Sequence, residues 1–446
     1  MANRDLTMGE PGKVIRSYCL PLFGSVFFQQ LYNLADSFVA GRFIDEGALA
    51  AVGNGYEITM VFIAFAVGCN TGCSVTAARH FGAKAYGNVR TAITTALIAT
   101  VAVCTLLTLG GLLFTPSLLR LIHTPDSIFA SSVTYLRIYT YGLPFLFLYN
   151  LATGIFSALG DSRTPFYFLA ASSTANIALD IVFVSQFHMG VAGVGWATFL
   201  CQGAACIPAV LVVYRKVKSL RANKVPFITS LAIKDFSHVA VPTVFQQAVI
   251  VSGNMILQGV VNSYGVTVTA GYSVAVKLIN LVTTYFTTIG TGLTNYTAQN
   301  LGAKLPQRAR EGFRASVKFV WVIAIAMCLL YELFPSILVQ IFVSSPSQAV
   351  LQTATDFLRI ASPFFFAPVL KIMCDAFFCG AKKMGLVVFT LTLDLGLRAA
   401  AAVTCSAVFG TAFSVWFAWP IGWVIAAGIT YLVYRRVSAG VGFMET

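Results

Sequence analysis

Long apolar runs broken by Gly, Pro or charge recur along the chain. They lie near 14–40, 50–78, 91–114, 133–159, 166–187 and 191–214, and again near 238–263, 267–298, 314–342, 354–380, 384–408 and 412–434. Each is long enough to cross roughly 30 Å of hydrocarbon at ~1.5 Å per residue. The pattern predicts twelve transmembrane helices. The first run is too long for the apolar segment of a cleaved signal peptide, so it reads as the first span. The only long polar connection, Arg215 to Asp235, separates the sixth span from the seventh.

The two sets of six match at a nearly constant offset. Pro21 pairs with Pro242, Phe81–Lys84 with Leu301–Lys304, Arg90 with Arg310, and Thr124-Pro125 with Ser345-Pro346. Leu136–Ile138 pairs with Leu358–Ile360, Gly160 with Gly380, and Trp196 with Trp416. An even number of spans per copy inserts both copies the same way round, as parallel repeats about an axis along the membrane normal, a recurrent transporter plan. The expected fold is therefore an all-α membrane protein. Its twelve transmembrane helices form two parallel-repeat six-helix bundles around a central cavity. The lobes are expected at 12–214 and 236–436, joined by a basic cytoplasmic linker, 215–235.

Composition agrees with burial in lipid: 57% hydrophobic, only 10% charged, and a mean hydropathy of +0.80. A net charge of +13 raises the question of a nucleic-acid partner, and the placement of the bases answers it. Of 29 Lys and Arg residues, 22 flank helix ends on alternate connections taken as the inner side, and four lie on the others. That split follows the positive-inside rule and places both termini in the cytoplasm, with the chain in the inner membrane. The ten cysteines all sit in apolar runs without zinc-ligand spacing.

Ionisable residues inside spans are costly and are functional candidates by default. Asp36 lies six residues before Arg42, Asp180 eight before His188, and Thr198 eight after Gly190. All three thus lie roughly 9–12 Å below the outer surface. Asn176 is one turn from Asp180 on the same face. The set suits either an oxygen cage for Na⁺ or a carboxylate pair whose repulsion lifts one group into the range for carrying H⁺. The second copy lacks it: Leu257 and Ala418 stand for Asp36 and Thr198, and Asp180 maps into Ala399–Ala402. A scaffold requirement would recur in both copies.

Lys371 and Asp375 are one turn apart on the tenth span, as are Asp394 and Arg398 on the eleventh, so each pair neutralises itself. Asp375, midway along its span, is also a candidate for substrate contact. Gln29, Gln30, Tyr32 and Asn33 give the first span a polar side suited to a wet cavity, and Pro21 supplies a bend. No Walker-type loop and no nucleophile–base or metal constellation is present. The chain is thus read as neither an ATP-driven pump nor an enzyme, and no cofactor is expected.

The stretches Tyr32–Gly41, Ala48–Gly53, Ala158–Asp161, Asn176–Asp180 and Gly190–Thr198 resemble the multidrug and toxic compound extrusion (MATE) transporters of prokaryotic type. These belong to the multidrug/oligosaccharidyl-lipid/polysaccharide flippase superfamily. The resemblance covers nearly the whole chain. It implies alternating access and Na⁺- or H⁺-driven antiport of organic, often cationic, drugs or metabolites. It also implies a cation site at Asp36, Asn176, Asp180 and Thr198, a bend at Pro21, and cavity positions at Gln29, Tyr32, Tyr139 and Asn150. Some members use a glutamate in the seventh span, where this chain offers only Asn254 and Gln258. The partners so implied are a small organic substrate, a coupling cation and membrane lipids, with no nucleic acid, and the protein is expected to act as a monomer.

Two rivals are a lipid-linked saccharide flippase, which needs a strongly basic cavity, and a non-transporting membrane receptor. Glu57 and Lys277 occupy equivalent positions with opposite signs and form a candidate inter-lobe pair. If they latch one state of the cycle, Glu57→Lys and Lys277→Glu should each impair transport. The double reversal should then restore it, and an export assay in which the double variant does no better than either single one rejects the latch.

Overall fold

The computed structural model describes residues 5–39, 46–220, 226–343 and 346–440; the side chains of 32–39, 46–49, 56 and 57 are not described. Every regular element among the described residues is helical. The first six spans comprise α1 (Pro11–Val39), α2 (Glu46–Gly82), α3 (Tyr86–Leu121), α4 (Asp126–Tyr141) with α5 (Leu143–Ala158), α6 (Arg163–Ile181) and α7 (Val191–Ser219). The second six comprise α8 (Ser230–Asn262), α9 (Val266–Gly302), α10 (Pro306–Leu333), α11 (Pro335–Phe342), α12 (Gln348–Ala361) with α13 (Phe366–Gly380), α14 (Met384–Phe409), and α15 (Ala412–Val415) with α16 (Ala418–Gly440).

Nine of these segments are long and apolar enough to span a bilayer, and two bent pairs bring the total to eleven among the described residues. With α1, whose 29 residues reach roughly 43 Å, the twelve spans are complete. The fourth and tenth are not single rods as the apolar runs suggested. α4 and α5 bend by 46° at Gly142, ahead of Pro144, and the α12–α13 pair bends by 56° across the 3₁₀ turn Ser362–Phe364, which contains Pro363. A proline ring removes one helical hydrogen bond and crowds the preceding turn, so the axis swings there. Pro335 likewise ends the ninth run at Leu333 and starts α11.

The chain divides into two compact units, one built on Tyr18–Val244 and one on Leu6–Ser17 with Phe245–Thr446; the limits fall inside α1 and α8. In the first unit α2 packs on α3, α4 and α5, while α7 packs on α4, α5 and α6. In the second, α9 packs on α10, α12 and α13, and α16 packs on α12, α13 and α14. The partners correspond one for one, so the duplication read from the sequence is a duplication of packing. Leu6 belongs to the second unit: its N–H donates to Gln299 Oε1 (3.0 Å) and its carbonyl accepts from Asn300 Nδ2 (3.4 Å).

The matched Phe81–Lys84 and Leu301–Lys304 motifs have a common physical origin. α2 and α9 both end in a Schellman cap with a lysine in the left-handed region, Lys84 at φ 56° and Lys304 at φ 59°. Ala85 N–H reaches His80 O and Lys84 N–H reaches Phe81 O; Leu305 and Lys304 repeat this onto Asn300 and Leu301. α13 ends the same way at Lys382 (φ 58°), and α5 at Gly160 (φ 75°). Gly160 therefore corresponds to Lys382, not to Gly380, and the offset in this part of the repeat is 222 rather than 220. A second shared device satisfies the carbonyls left over at helix ends. Arg90 Nη2 donates to Lys218 O (2.9 Å) and Leu220 O (2.6 Å) at the end of α7, and its equivalent Arg310 donates to Ser438 O near the end of α16.

Asp161 has no acidic counterpart in the second unit, where Lys383 takes its place. Its Oδ1 accepts from the backbone N–H groups of Arg163 and Thr164 (3.1 and 3.0 Å), which caps α6. Oδ2 accepts from Thr164 Oγ1 and from the Lys216 ammonium on α7, each at 2.6 Å. Burial pushes this carboxyl up, but the hydrogen bonds from Lys216 and Thr164 and the lysine charge outweigh it and hold it below its ordinary value.

Two stability experiments follow in detergent. Lys84→Gly should raise thermal stability by about 0.5–1 kcal/mol, because glycine adopts the left-handed cap without the Cβ penalty. A fall in melting temperature would show instead that the lysine chain makes contacts worth more than the strain. Lys216→Met should cost about 3 kcal/mol at neutral pH, since it strips the cation from a buried carboxylate. A depressed folded pKa contributes stability above the unfolded value of about 4, which is lost as pH falls through the folded one. The gap between wild type and Lys216→Met should therefore be constant from about pH 6 to 8 and close below about pH 4. An equal gap at low pH would locate the effect in packing.

Candidate cation site in the first unit

The sequence of α6 is apolar for most of its length, so the face it buries would ordinarily be apolar as well. The structure shows the reverse. Past its first turn, the residues α6 buries are Ser173, Asn176 and Asp180, while Thr174, Ala175, Ala178 and Ile181 are exposed on the outer side. Spacings of three and four place the three polar groups on one stripe. Asp180 is fully buried and Asn176 is 2% exposed.

α7 turns back against this stripe. Ser172 Oγ donates to Cys201 O (2.9 Å), and a Cβ on Gly193 would meet Phe183 Cβ at 3.2 Å. These two contacts set an antiparallel register that brings Thr198, itself buried, opposite the Asn176 turn, with Asp180 one turn nearer the hairpin. Three of the four residues that the sequence grouped by depth and helical spacing thus share one region of the first unit. The fourth, Asp36, lies on α1, whose side chains from 32 to 39 are outside the described residues, as are Tyr32 and Asn33. The described part of α1 does approach α6: a Cβ on Gly24 would meet Phe166 Cε2 at 2.5 Å, and the Phe28 and Phe166 rings lie 6.0 Å apart. Pro21 lies inside α1, and its carbonyl accepts from Ser25 Oγ (3.2 Å).

Immediately beyond Asp180 the backbone widens into a π turn, Val182–Gln186. This turn has no counterpart in α14, which runs unbroken to Phe409. From the cap at Asp161 to Gly190 (φ 57°) is 29 residues, whereas the matching stretch from Lys383 to Gly410 (φ 63°) is 27. The first copy therefore carries extra residues beside its buried carboxylate, and the π turn absorbs them. Such turns concentrate at functional positions because they re-aim side chains without ending the helix. The changing offset between the repeats is the signal by which sequence reasoning would have found it.

The other candidates are dispersed. Gln29 is exposed on α1, and Tyr139 on α4 is half-buried beside Tyr135, with ring centroids 6.3 Å apart. Asn150 is half-buried and structurally committed: its Nδ2 donates to Leu146 O, while its carbonyl accepts from Asn70 Nδ2 and Thr153 Oγ1 at 2.9 and 2.7 Å. Lys277 is exposed in the second unit, and the Glu57 side chain lies outside the described residues. Asp375 belongs to a separate charge group in the second unit, bonded to Lys371 Nζ (2.7 Å) and to Thr390 Oγ1 (2.6 Å). Sequence reasoning missed Thr390 because it lies on the next helix. The described residues hold no group of three or more His, Cys, Asp or Glu side chains able to bind a metal ion.

A sequence profile of the MatE family matches residues 21–182 and again 242–404, once in each copy of the repeat. YpnP of Bacillus subtilis (strain 168), a probable multidrug resistance protein, is 28% identical over 77% of this chain and 77% of its own length. NorM of Geobacillus kaustophilus, also a probable multidrug resistance protein, is 23% identical over 93% of this chain and 92% of its own. An FAD transporter of Shewanella oneidensis is 22% identical over 78% of each. Among solved structures, a MOP superfamily transporter from Pyrococcus furiosus Vc1, whose binding pocket is described as reversed in polarity, superposes with a TM-score of 0.93 at 22% identity over 99% of both chains. An outward-facing multidrug resistance MATE family transporter agrees equally well, at the same TM-score, identity and coverage. Fold agreement along the whole length, together with a family profile that matches each repeat separately, leads to one conclusion: the chain belongs to the MatE family of membrane transporters.

Proposed function

We propose that the protein exports organic, often cationic, compounds by antiport against Na⁺ or H⁺, with Asp36 and Asp180 binding the coupling ion. The buried polar stripe of α6 carries this reading: Asp180, Asn176 and Ser173 face inward in a helix whose apolar residues face outward. A carboxylate in that position costs free energy unless it binds a cation or proton, which is the property a coupling site needs. The multidrug resistance relatives support the substrate class. In this reading the protein works as a monomer in the inner membrane with both termini in the cytoplasm, and uses no cofactor.

Substrate binds from the inside, and the protein converts to its outward-open form. Na⁺ or H⁺ then neutralises the Asp36/Asp180 pair, α1 repacks about Pro21, and substrate affinity falls. Exchange requires only that ion and substrate differ in affinity for the two states by a few kcal/mol. The FAD transporter and the pocket of reversed polarity raise the alternative of an anionic substrate. Lys371 and Arg398, the buried bases, are held by Asp375 and Asp394, so they favour the cationic reading.

The test is ethidium accumulation in drug-hypersensitive bacteria lacking their own pumps, with an imposed Na⁺ or H⁺ gradient. Wild type should lower accumulation under one gradient and so name the ion. Asp180→Asn and Asp36→Asn, expressed to the same level, should abolish that effect. Efflux that survives both substitutions would keep the exporter and remove the ion site.

A further inference from the structure

The second unit contains a group of four charges, three of them buried and Asp375 nearly so, that transport through the first unit does not use. Lys371 and Asp375 lie on α13, and Asp394 and Arg398 on α14; Lys371, Asp394 and Arg398 are 5%, 5% and 8% exposed. Lys371 Nζ binds Asp375 Oδ2 at 2.7 Å, and Thr390 Oγ1 donates to Asp375 Oδ1 at 2.6 Å. Both oxygens of that carboxylate are thus engaged. Arg398 Nη2 binds Asp394 Oδ2 at 3.0 Å, its guanidinium lies 4.9 Å from the Trp419 ring centroid, and Gly422 leaves α16 room to close on its Cγ. Among the described residues no hydrogen bond reaches Asp394 Oδ1. The group has two acids and two bases, and its net charge is zero.

Comparison of the two units gives this arrangement its meaning. The caps at Asp161 and Lys383 set the offset at 222 through α6 and α14, which matches Asn176 with Arg398 and Asp180 with Ala402. At the same offset Lys371 stands for Tyr149 and Asp375 for Thr153. Where the first unit offers a carboxylate, an amide and hydroxyls, the second offers carboxylates with cations already attached. A Lys ammonium is a compact point charge on a flexible stem, suited to the place a monovalent cation would occupy.

We propose that Lys371 is a tethered counter-cation. Its ammonium takes, on Asp375, the position an exchangeable cation would otherwise fill. The second unit is thereby kept electrically complete throughout the cycle, and ion coupling is confined to the first unit. The proposal rests on the cation-coupled reading above. It restricts coupling to one site per chain and makes Lys371 a residue that determines ion stoichiometry. Removal of the ammonium leaves a buried group with one uncompensated negative charge, which must recruit a cation from solution.

The experiment is ²²Na⁺ binding to purified protein in detergent, in an Asp36→Asn/Asp180→Asn background that lacks the first-unit carboxylates. The background protein should bind no saturable ²²Na⁺. Adding Lys371→Ala should create one saturable site per chain, and adding Asp375→Asn as well should abolish it. In parallel, Na⁺ and ethylammonium should raise the melting temperature of Lys371→Ala in a dose-dependent manner, as ligands that bind only the folded state do. Lys371→Met/Asp375→Asn, a neutral pair, should fold and respond to neither. A Lys371→Ala protein that gains no ²²Na⁺ site and is stabilised by neither cation overturns the proposal. If this variant folds poorly, the same melting series read at high Na⁺ and high ethylammonium decides: rescue supports the proposal and lack of rescue refutes it. None of these readouts involves transport, so a failed ethidium assay and a failed tethered cation are separate results.

Discussion

A charge inside hydrocarbon must be matched by another charge, a proton or a mobile ion, and much of this molecule is arranged around that requirement. The two repeats meet it differently on the same scaffold. In the second unit the match is supplied by the chain itself: Lys371 and Arg398 lie one turn from Asp375 and Asp394 and pair with them at 2.7 and 3.0 Å. In the first unit the carboxylate stripe on α6 is surrounded by an amide and hydroxyls, and helix α5 carries no base at all. The duplicated scaffold thus carries unequal charge content in its two copies.

That scaffold is held by devices repeated at both ends of the duplication. Arg90 and Arg310 satisfy carbonyls near the ends of α7 and α16, and Schellman caps built on Lys84 and Lys304 end α2 and α9. The departures from symmetry are local. Asp161 ties α6 to Lys216 in the first unit alone, and the π turn after Asp180 widens α6 where α14 is regular. Both departures fall on the helix that carries the candidate cation site: one secures its N-terminal end and the other re-aims its C-terminal end.

Much of this was legible in the chain because membrane burial makes simple demands. Apolar length fixes the number of spans, loop charge sets the expected topology, and a carboxylate inside a span stands out against an apolar background. Asp180 and Thr198 were grouped by depth and Asn176 by its spacing from Asp180, and the packing of α6 on α7 brings the three buried residues into one region of the first unit. Less legible were contacts that depend on which helices become neighbours. Thr390 meets Asp375 from the next helix, Lys216 meets Asp161 across 55 residues, and Asn150 is tied to Asn70 on α2. The bends at Gly142 and Ser362–Phe364 were also missed, because an apolar run reads the same whether its axis is straight or swings at a proline.

The sequence by itself determined the class of protein, the twelve-span plan, its duplication and the asymmetry of its buried acids. Each of these follows from the period and sign of residues along one dimension. Tertiary structure decided which acid pairs with which base, which oxygen each donor meets and where the repeats slip out of register. It did so because neighbouring helices are set by side-chain packing between segments far apart in the chain, a relation that spacing along the chain does not encode.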